Sequence, residues 1–181
     1  MLKPPLIADS GLCRDCQACT LACSLSHEGQ CNPGLARLSI SKDMARYEFT
    51  IVICQHCEDP ECLAACPAGT ITRDGDGWVQ LDEAACTGCG ACVAACPFGA
   101  IAQRADAIAT KCDGCADEVA RGWAPTCVRA CPMRALHYDA GWDGPGQRCA
   151  GPTFEDGGVG PAVLYVQRPP EARPPSLAES S

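Results

Sequence analysis

The hydrophobic positions of this chain fall in short runs separated by turn residues, and they predict sparse regular structure. Residues 46–54 (RYEFTIVIC) combine β-branched and aromatic side chains, which is the pattern of a strand. Residues 71–82 predict a hairpin that turns at the Asp-Gly-Asp-Gly run 74–77. Residues 100–112 predict a second hairpin that turns near Ala105 and Asp106.

Beyond Tyr138 the pattern changes to glycine- and proline-rich sequence, which is typical of an arm or a tail. We assign residues 141–181 to this segment, with one predicted strand over residues 162–167. Two alternatives remain open for the segment, namely a disordered tail and an arm that grips a partner.

The composition leaves few large apolar residues for an ordinary core. The chain has 181 residues, of which 5% are aromatic, so the hydrophobic interior must be thin. The formal net charge of −8 argues against nucleic acid and an anionic membrane surface as partners, because both require basic patches. Another kind of group must therefore organise the fold.

The cysteines indicate what organises the fold. Of the 18 cysteines, all but Cys31 and Cys149 fall into four groups of four. The groups are Cys13-Cys16-Cys19-Cys23, Cys54-Cys57-Cys62-Cys66, Cys86-Cys89-Cys92-Cys96 and Cys112-Cys115-Cys127-Cys131. The third group, CTGCGACVAACP, matches the bacterial ferredoxin run C-x2-C-x2-C-x3-C-P. The pattern predicts four [4Fe–4S] clusters in a chain that moves electrons.

The spacing within a group has a physical reason. Two-residue gaps let a tight loop present three thiolates and several inward N–H groups to one cluster. The fourth cysteine, three residues later, sits on a short helix that points away and ligates the other cluster of a pair. A proline after that cysteine turns the chain out of the helix.

This cross-over rule predicts the four ligand sets. They are Cys54, Cys57, Cys62 and Cys96; Cys66, Cys86, Cys89 and Cys92; Cys13, Cys16, Cys19 and Cys131; and Cys23, Cys112, Cys115 and Cys127. We therefore expect a small α+β protein of two fused dicluster ferredoxin-like units, related by a pseudo-twofold axis and organised by the clusters. Residues 54–97 form the inner unit, and residues 1–53 plus 98–140 form the discontinuous outer unit.

Disulfides and zinc are the competing interpretations of the cysteines. Disulfides need an oxidising compartment, and the residues before Cys13 are too few and too polar for a secretory signal. Zinc sites use paired C-x2-C knuckles rather than C-x2-C-x2-C triplets. With no apolar run long enough to span a membrane, we expect a cytoplasmic protein.

Three groups depart from the ferredoxin spacing. The second group has two extra residues, the fourth has eleven residues between Cys115 and Cys127, and the first lacks a proline after Cys23. The longer loops are either docking sites beside a cluster or tolerated loop length. We expect the leftover Cys31 and Cys149 to be free cysteines rather than ligands.

The remaining polar residues suggest no further chemistry. His56 lies inside the second group, where a hydrogen-bonding or packing role is expected because four thiolates are already present. His27 and His137 have no acidic or cysteine partners in the sequence pattern, and Lys111 is expected to be solvated. We find no dinucleotide loop, P-loop or nucleophile elbow, so the chain is expected to be a non-catalytic subunit.

The four-group layout, over residues 12–137, resembles the iron–sulfur electron-transfer subunits of the molybdopterin oxidoreductases. Residues 13–43, CRDCQACTLACSLSHEGQCNPGLARLSISKD, are similar to the small polyferredoxin subunit of tungsten aldehyde oxidoreductases and tungsten benzoyl-CoA reductase complexes. The resemblance implies a large tungsto- or molybdopterin catalytic subunit and a flavin subunit that reacts with NAD as partners.

We therefore expect single-electron relay between a pterin–metal site and a flavin or other acceptor. The alternatives are a subunit of a hydrogenase or carbon monoxide dehydrogenase system, a free polyferredoxin, and a maturation or scaffold protein. A wire with cluster-bearing ends could also stack head-to-tail into open filaments.

Overall fold

A computed structural model of the chain describes residues 6–142, 159, 160 and 162–166. The elements are short and follow the cysteine groups. In chain order they are β1 Leu6–Ala8, α1 Ala18–Glu28, a 3₁₀ turn Pro33–Leu35, β2 Leu38–Asp43, β3 Glu48–Ile53, α2 Glu61–Ala64, β4 Ile71–Arg73, β5 Val79–Leu81, α3 Ala91–Ala95, β6 Ile101–Gln103, β7 Ala109–Lys111, α4 Ala116–Ala120, α5 Thr126–Ala130, β8 Leu136–Tyr138 and β9 Leu164–Tyr165.

The hairpin β2–β3 contains the strand predicted over residues 46–54, which is confirmed as β3. Its register runs from Leu38 opposite Ile53 to Asp43 opposite Glu48. Alternate side chains of β3, among them Ile51, face the main core because successive residues of a strand point to opposite faces. The sequence pattern did not predict its partner β2, which is mostly polar and exposed.

Both predicted hairpins are confirmed. In β4–β5 the carboxylate of Asp74 accepts the backbone N–H groups of Asp76 at 3.0 Å and Trp78 at 2.8 Å, which closes the turn as an aspartate commonly does. Gly77 has φ +87° there, a conformation that favours glycine. The hairpin β6–β7 turns at residues 104–107, close to the predicted position.

The helices follow the proline pattern. Helices α2, α3 and α5 have four or five residues each, and each is followed by a Cys-Pro pair that stops it. No proline follows Cys23, and α1 therefore continues to Glu28 for a total of 11 residues. It ends where Gly29, in the left-handed conformation, donates its N–H to the Leu25 carbonyl. Helix α1 packs against α5, and α2 packs against α3.

The two ends of the described chain meet in one small sheet. Strand β1 pairs with β8 in antiparallel fashion and with β9 in parallel fashion. Strand β9 confirms the strand predicted over residues 162–167. The buried Tyr165 hydroxyl donates a hydrogen bond to the Ile51 carbonyl at 2.8 Å. Part of the glycine- and proline-rich segment is thus docked on the core, whereas residues 143–158, 161 and 167–181 lie outside the described residues.

The core contains cysteines among its apolar side chains. One cluster of buried residues combines β1, β3, β8 and β9 side chains with cysteines. A second cluster joins the hairpins β4–β5 and β6–β7 to the cysteines of α2 and α3. This agrees with the thin conventional core expected from the composition. Within the part of the chain that the structure describes, no helix is long and apolar enough to cross a membrane.

Candidate metal centres

Cysteines from two different groups converge on one cavity, which we call the first cavity. It is lined by Cys54, Cys57 and Cys62 of the second group together with Cys96 of the third. Strand β3 ends just before Cys54, Cys62 lies in α2, and Cys96 caps α3. Apolar residues complete the wall, among them Val79, Phe98, Ile101 and Val159.

Two further cavities repeat this arrangement in the remainder of the chain. The second cavity is lined by Cys23, Cys112, Cys115 and Cys127. The third cavity is lined by Cys13, Cys16, Cys19 and Cys131, with Ile40 and Ile51 behind them. In both, three cysteines come from one group and the fourth comes from the end of the other.

A fourth set of cysteines lies beside the hairpin β4–β5. Cys92 of α3 is buried, and Cys66 and Cys86 pack against the same apolar cluster. The charges of Cys66 and Cys86 both contribute to the raised pKa of Cys92, after the larger contribution of its burial. Cys89 is exposed at the surface. We call Cys66, Cys86, Cys89 and Cys92 the fourth set.

Burial dominates the protonation of these thiols. It raises the pKa of Cys19 and Cys23 to about 11 and that of Cys57 to about 12, and neighbouring cysteines add to the rise. Cys66 differs, because a hydrogen bond with the Thr70 hydroxyl lowers its pKa to about 7. A metal must therefore displace protons when it binds to the buried thiols.

The chemistry of the donors suits iron–sulfur clusters. Four converging thiols with apolar walls provide soft thiolate ligands in a water-poor site, which is the environment of a [4Fe–4S] cluster. Backbone N–H groups also point at the sulfurs: Arg37 donates to Cys23 at 3.4 Å, Gly114 to Cys112 at 3.3 Å and Ala135 to Cys131 at 3.2 Å. Such donors stabilise the negative charge of a ligating sulfur.

His27 has the partners that the sequence pattern failed to reveal, so the expectation that it lacks acidic and cysteine neighbours is wrong. Its Nε2 atom lies 3.9 Å from the Cys115 sulfur and 3.7 Å from an Asp113 carboxylate oxygen. The reason is the continuation of α1, which carries His27 one turn beyond Cys23 and onto the same face. The missing proline after Cys23 was the available signal.

Lys111 is buried, with 2% of its surface exposed, so the expected solvated lysine is also wrong. Its Nζ donates hydrogen bonds to the carbonyl oxygens of Val79 and Cys112. His56 is buried as well, and its Nδ1 accepts the Val79 N–H at 3.1 Å while its ring packs edge-on against Trp78. This agrees with the hydrogen-bonding and packing role expected for His56.

A half-buried ionic network joins the region around Cys86 to the region around Cys112. The Arg37 guanidinium lies 2.9 Å from Asp113 and 3.3 Å from Glu83. The Arg104 guanidinium lies 2.6 Å from Glu28 and 2.9 Å from Glu83. Glu83 therefore bridges two arginines, and the network connects α1, the loop before Cys86, the β6–β7 turn and the loop after Cys112.

The longer loops are ordered parts of the fold. In the second group, the N–H groups of Glu58 and Asp59 donate to the carbonyls of Gly160 and Val159. In the fourth group, the eleven residues form α4, a turn and the first residue of α5. The Arg129 guanidinium lies 5.3 Å from the ring centroid of Trp123.

Cys31 and the last histidine, His137, stand apart from the four sets. Cys31 is exposed, and it lines none of the three cavities. Cys149 lies outside the described residues. The ring of His137 lies 4.8 Å from that of Trp142, so its described neighbour is aromatic.

Two protein-family models match the chain. The model of the 4Fe-4S dicluster domain matches residues 45–140, and that of the 4Fe-4S binding domain matches residues 10–26. Together the two matches include all four cysteine groups. They support [4Fe–4S] clusters as the cofactor expected from the spacing.

Curated relatives match over most of their length. The thiosulfate reductase electron transfer subunit PhsB of Salmonella typhi is 36% identical over 143 residues, which are 74% of this chain and 73% of that protein. The B subunit of the anaerobic dimethyl sulfoxide reductase of Escherichia coli is also 36% identical, over 72% of this chain and 70% of that protein. The expected resemblance to iron–sulfur electron-transfer subunits of oxidoreductases is confirmed.

One solved structure is similar over a comparable range. It is the active site complex BamBC of benzoyl coenzyme A reductase in complex with zinc, with 26% identity and a TM-score of 0.46. The match covers 74% of this chain and 76% of that one.

Proposed function

The chain belongs to the 4Fe-4S dicluster family of electron-transfer subunits, and we propose that it relays single electrons through four [4Fe–4S] clusters. The clusters, when bound, supply one-electron transfer. The chain itself is a non-catalytic subunit, as the relatives named electron-transfer subunits indicate. The observation that carries the proposal is the convergence of four thiols on each of three separate cavities.

The proposed ligands are the four sets that the cross-over rule predicts. The first, second and third cavities would each hold one cluster through their four cysteines, and the fourth set would hold the remaining one. Support comes from the cavity walls and from the packing of Cys66 and Cys86 against the apolar cluster that contains Cys92. The packing of α1 on α5 and of α2 on α3 supports the proposed outer and inner units, whose boundaries stay those predicted from the sequence.

We propose that the four sets form a row. Cys62, Cys66, Cys92 and Cys96 share one apolar cluster, which joins the fourth set to the first cavity. Cys54 and Cys112 are close enough for the charge of one to raise the pKa of the other, after burial of Cys112 itself, and this joins the first cavity to the second. The charge of Cys19 likewise contributes to the raised pKa of Cys127, after the larger contribution of burial, and this joins the second cavity to the third.

The ends of this row are its accessible points. Cys89 of the fourth set and Cys16 of the third cavity are exposed, whereas all four cysteines of the second cavity are buried. We propose that electrons enter at one of these ends and leave at the other. The protein would contribute by excluding water from the middle of the row and by donating N–H groups to its sulfurs.

The partners are proposed from the resemblance of residues 13–43. We propose a large tungsto- or molybdopterin subunit, of aldehyde oxidoreductase type, at one end of the row and an FAD subunit that reacts with NAD, or another acceptor, at the other. The two curated relatives described above act, by their names, in thiosulfate and dimethyl sulfoxide reduction. They support an oxidoreductase complex without specifying this substrate. A cytoplasmic location remains a prediction.

The experiment is anaerobic purification of the tagged chain from its own host, followed by elemental analysis of the chain and the proteins that accompany it. We expect about 16 iron per chain from four cubanes, together with tungsten or molybdenum in a larger subunit. Nickel instead of these metals would assign the chain to a hydrogenase or carbon monoxide dehydrogenase system. Zinc with little iron would overturn the proposal.

Two other outcomes distinguish the remaining alternatives. A monomer that purifies with iron and without a stable partner would be a free polyferredoxin. Clusters that stay oxidised while the partner's substrate is turned over would indicate a scaffold role. Head-to-tail association through the two exposed ends is a separate proposal, and discrete complexes alone in electron micrographs at high concentration would contradict it.

A further inference from the structure

The most buried charged side chain in the described core belongs to Lys111, the last residue of β7. Only 2% of its surface is exposed. No ion pair with a carboxylate is found for it among residues 6–142, 159, 160 and 162–166, although partly exposed arginines nearby each contact one. Burying an ammonium group is costly unless hydrogen bonds or opposite charge compensate it, so this position requires a reason.

The hydrogen bonds of Lys111 place its ammonium between two cavities. One acceptor is the carbonyl of Val79, a residue that lines the first cavity. The other is the carbonyl of Cys112 at 2.6 Å, and Cys112 lines the second cavity. The strand partner of Lys111 is Ile101, which also lines the first cavity. The side chain is thus tethered at both walls rather than directed to solvent.

The electrostatics agree with this placement. Burial raises the pKa of Cys62, in the first cavity, to about 11, and it raises that of Cys112, in the second, well above its usual value. The Lys111 charge opposes the rise in both thiols. The Lys111 ammonium, held by the carbonyls of Val79 and Cys112, is thus near enough to both cavities to favour negative charge in either one.

We propose that Lys111 is a shared positioning cation that raises the reduction potentials of the two central clusters, those of the first and second cavities, and leaves the two end clusters unchanged. The inference rests on the proposed function. Reduction adds one negative charge to a cluster, and a fixed, desolvated cation nearby favours the reduced state. One ammonium between both sites keeps the two central potentials high together, which holds electrons in the middle of the row.

The test is an EPR-monitored redox titration of the full chain, purified anaerobically with its clusters. Lys111→Gln removes the charge and keeps a hydrogen-bond donor, whereas Lys111→Arg keeps the charge. Arg46→Gln makes the same change of charge on an exposed turn and serves as the control. Each EPR signal is assigned with a single cysteine-to-serine variant of one of the four sets.

We expect Lys111→Gln to weaken electron binding at least tenfold at both central clusters, which is about 59 mV for a one-electron couple. In Lys111→Gln the end clusters should keep their parental reduction potentials, and in Arg46→Gln all four clusters should do so. In Lys111→Arg the central potentials should stay within about 28 mV of the parental values, which is about a threefold change in electron binding. Unshifted central potentials at full iron content would overturn the proposal, and so would an equal shift of all four clusters.

Loss of iron from a variant also tests the proposal. If Lys111→Gln binds less iron and Lys111→Arg retains the full content with parental potentials, the positive charge is the required feature. If both variants lose iron, the shape of the side chain is required and the proposal fails. Absence of iron from the parent protein would instead refute the proposed function itself.

Discussion

Gly114 and Trp78 are in such close contact that no side chain fits between them. A Cβ atom on Gly114 would lie 2.3 Å from two ring carbons of Trp78, and the Gly114 backbone has φ +74°. Trp78 is 5% exposed and lies just before β5 in the hairpin β4–β5, whereas Gly114 lies between Cys112 and Cys115, two of the four cysteines that line the second cavity. The contact packs the hairpin β4–β5 against the loop after Cys112, which lines this cavity.

Gly114→Ala should destabilise the protein strongly and reduce its iron content. Strain of an alanine at positive φ costs about 1 kcal/mol or more, and overpacking against the indole adds roughly 1–3 kcal/mol. The control is Gly122→Ala, which has φ +84° and nothing within 4 Å of the added Cβ. The measurement is anaerobic thermal unfolding with iron analysis. Equal losses in the two variants would show that the contact with Trp78 is unimportant.

Removal of the clusters should unfold most of the chain. Cysteines form part of both main clusters of buried residues, and metal-binding energy in such small proteins is also folding energy. We expect far-UV circular dichroism of the chelator-treated apoprotein to lose most of the signal of the loaded protein. Matching spectra for the two forms would contradict this prediction.

Cys57→Ala should abolish or alter the EPR signal of the cluster in the first cavity and lower the iron content by about one to four atoms per chain. The reason is that Cys57 lines that cavity with three other thiols. Cys31→Ala is the matched control, because Cys31 is exposed and belongs to no set. The ligand assignment would be wrong if Cys31→Ala lost iron and Cys57→Ala did not.

Glu83→Gln should destabilise the loaded protein by about 1–2 kcal/mol, because it removes the shared partner of Arg37 and Arg104 from a half-buried network. Asp117→Asn makes the same change of charge at an exposed helix position and should change stability by less than about 0.5 kcal/mol. Anaerobic denaturant unfolding followed by tryptophan fluorescence provides the comparison. The loss in Glu83→Gln should shrink at high salt, and its persistence there would argue against an ionic cause.

Local sequence determined the parts of this protein that depend on spacing and turn chemistry. The Asp74-to-Gly77 run predicted a hairpin, and the Cys-Pro pairs predicted where α2, α3 and α5 stop. Cysteine spacing also predicted [4Fe–4S] clusters and electron transfer, because a cubane needs thiolates at particular intervals along a loop. The four ligand sets and the count of four clusters remain predictions.

Only the tertiary structure decided the surroundings of those cysteines. Spacing does not reveal that α1 carries His27 to Asp113, that Lys111 is buried between two cavities, or that β9 returns to pair with β1. These contacts join residues that are far apart in the chain, so their existence depends on how the whole fold packs. A ligand motif is encoded within one loop, whereas the charges and hydrogen bonds that tune the bound cluster come from whichever segments the fold brings beside it.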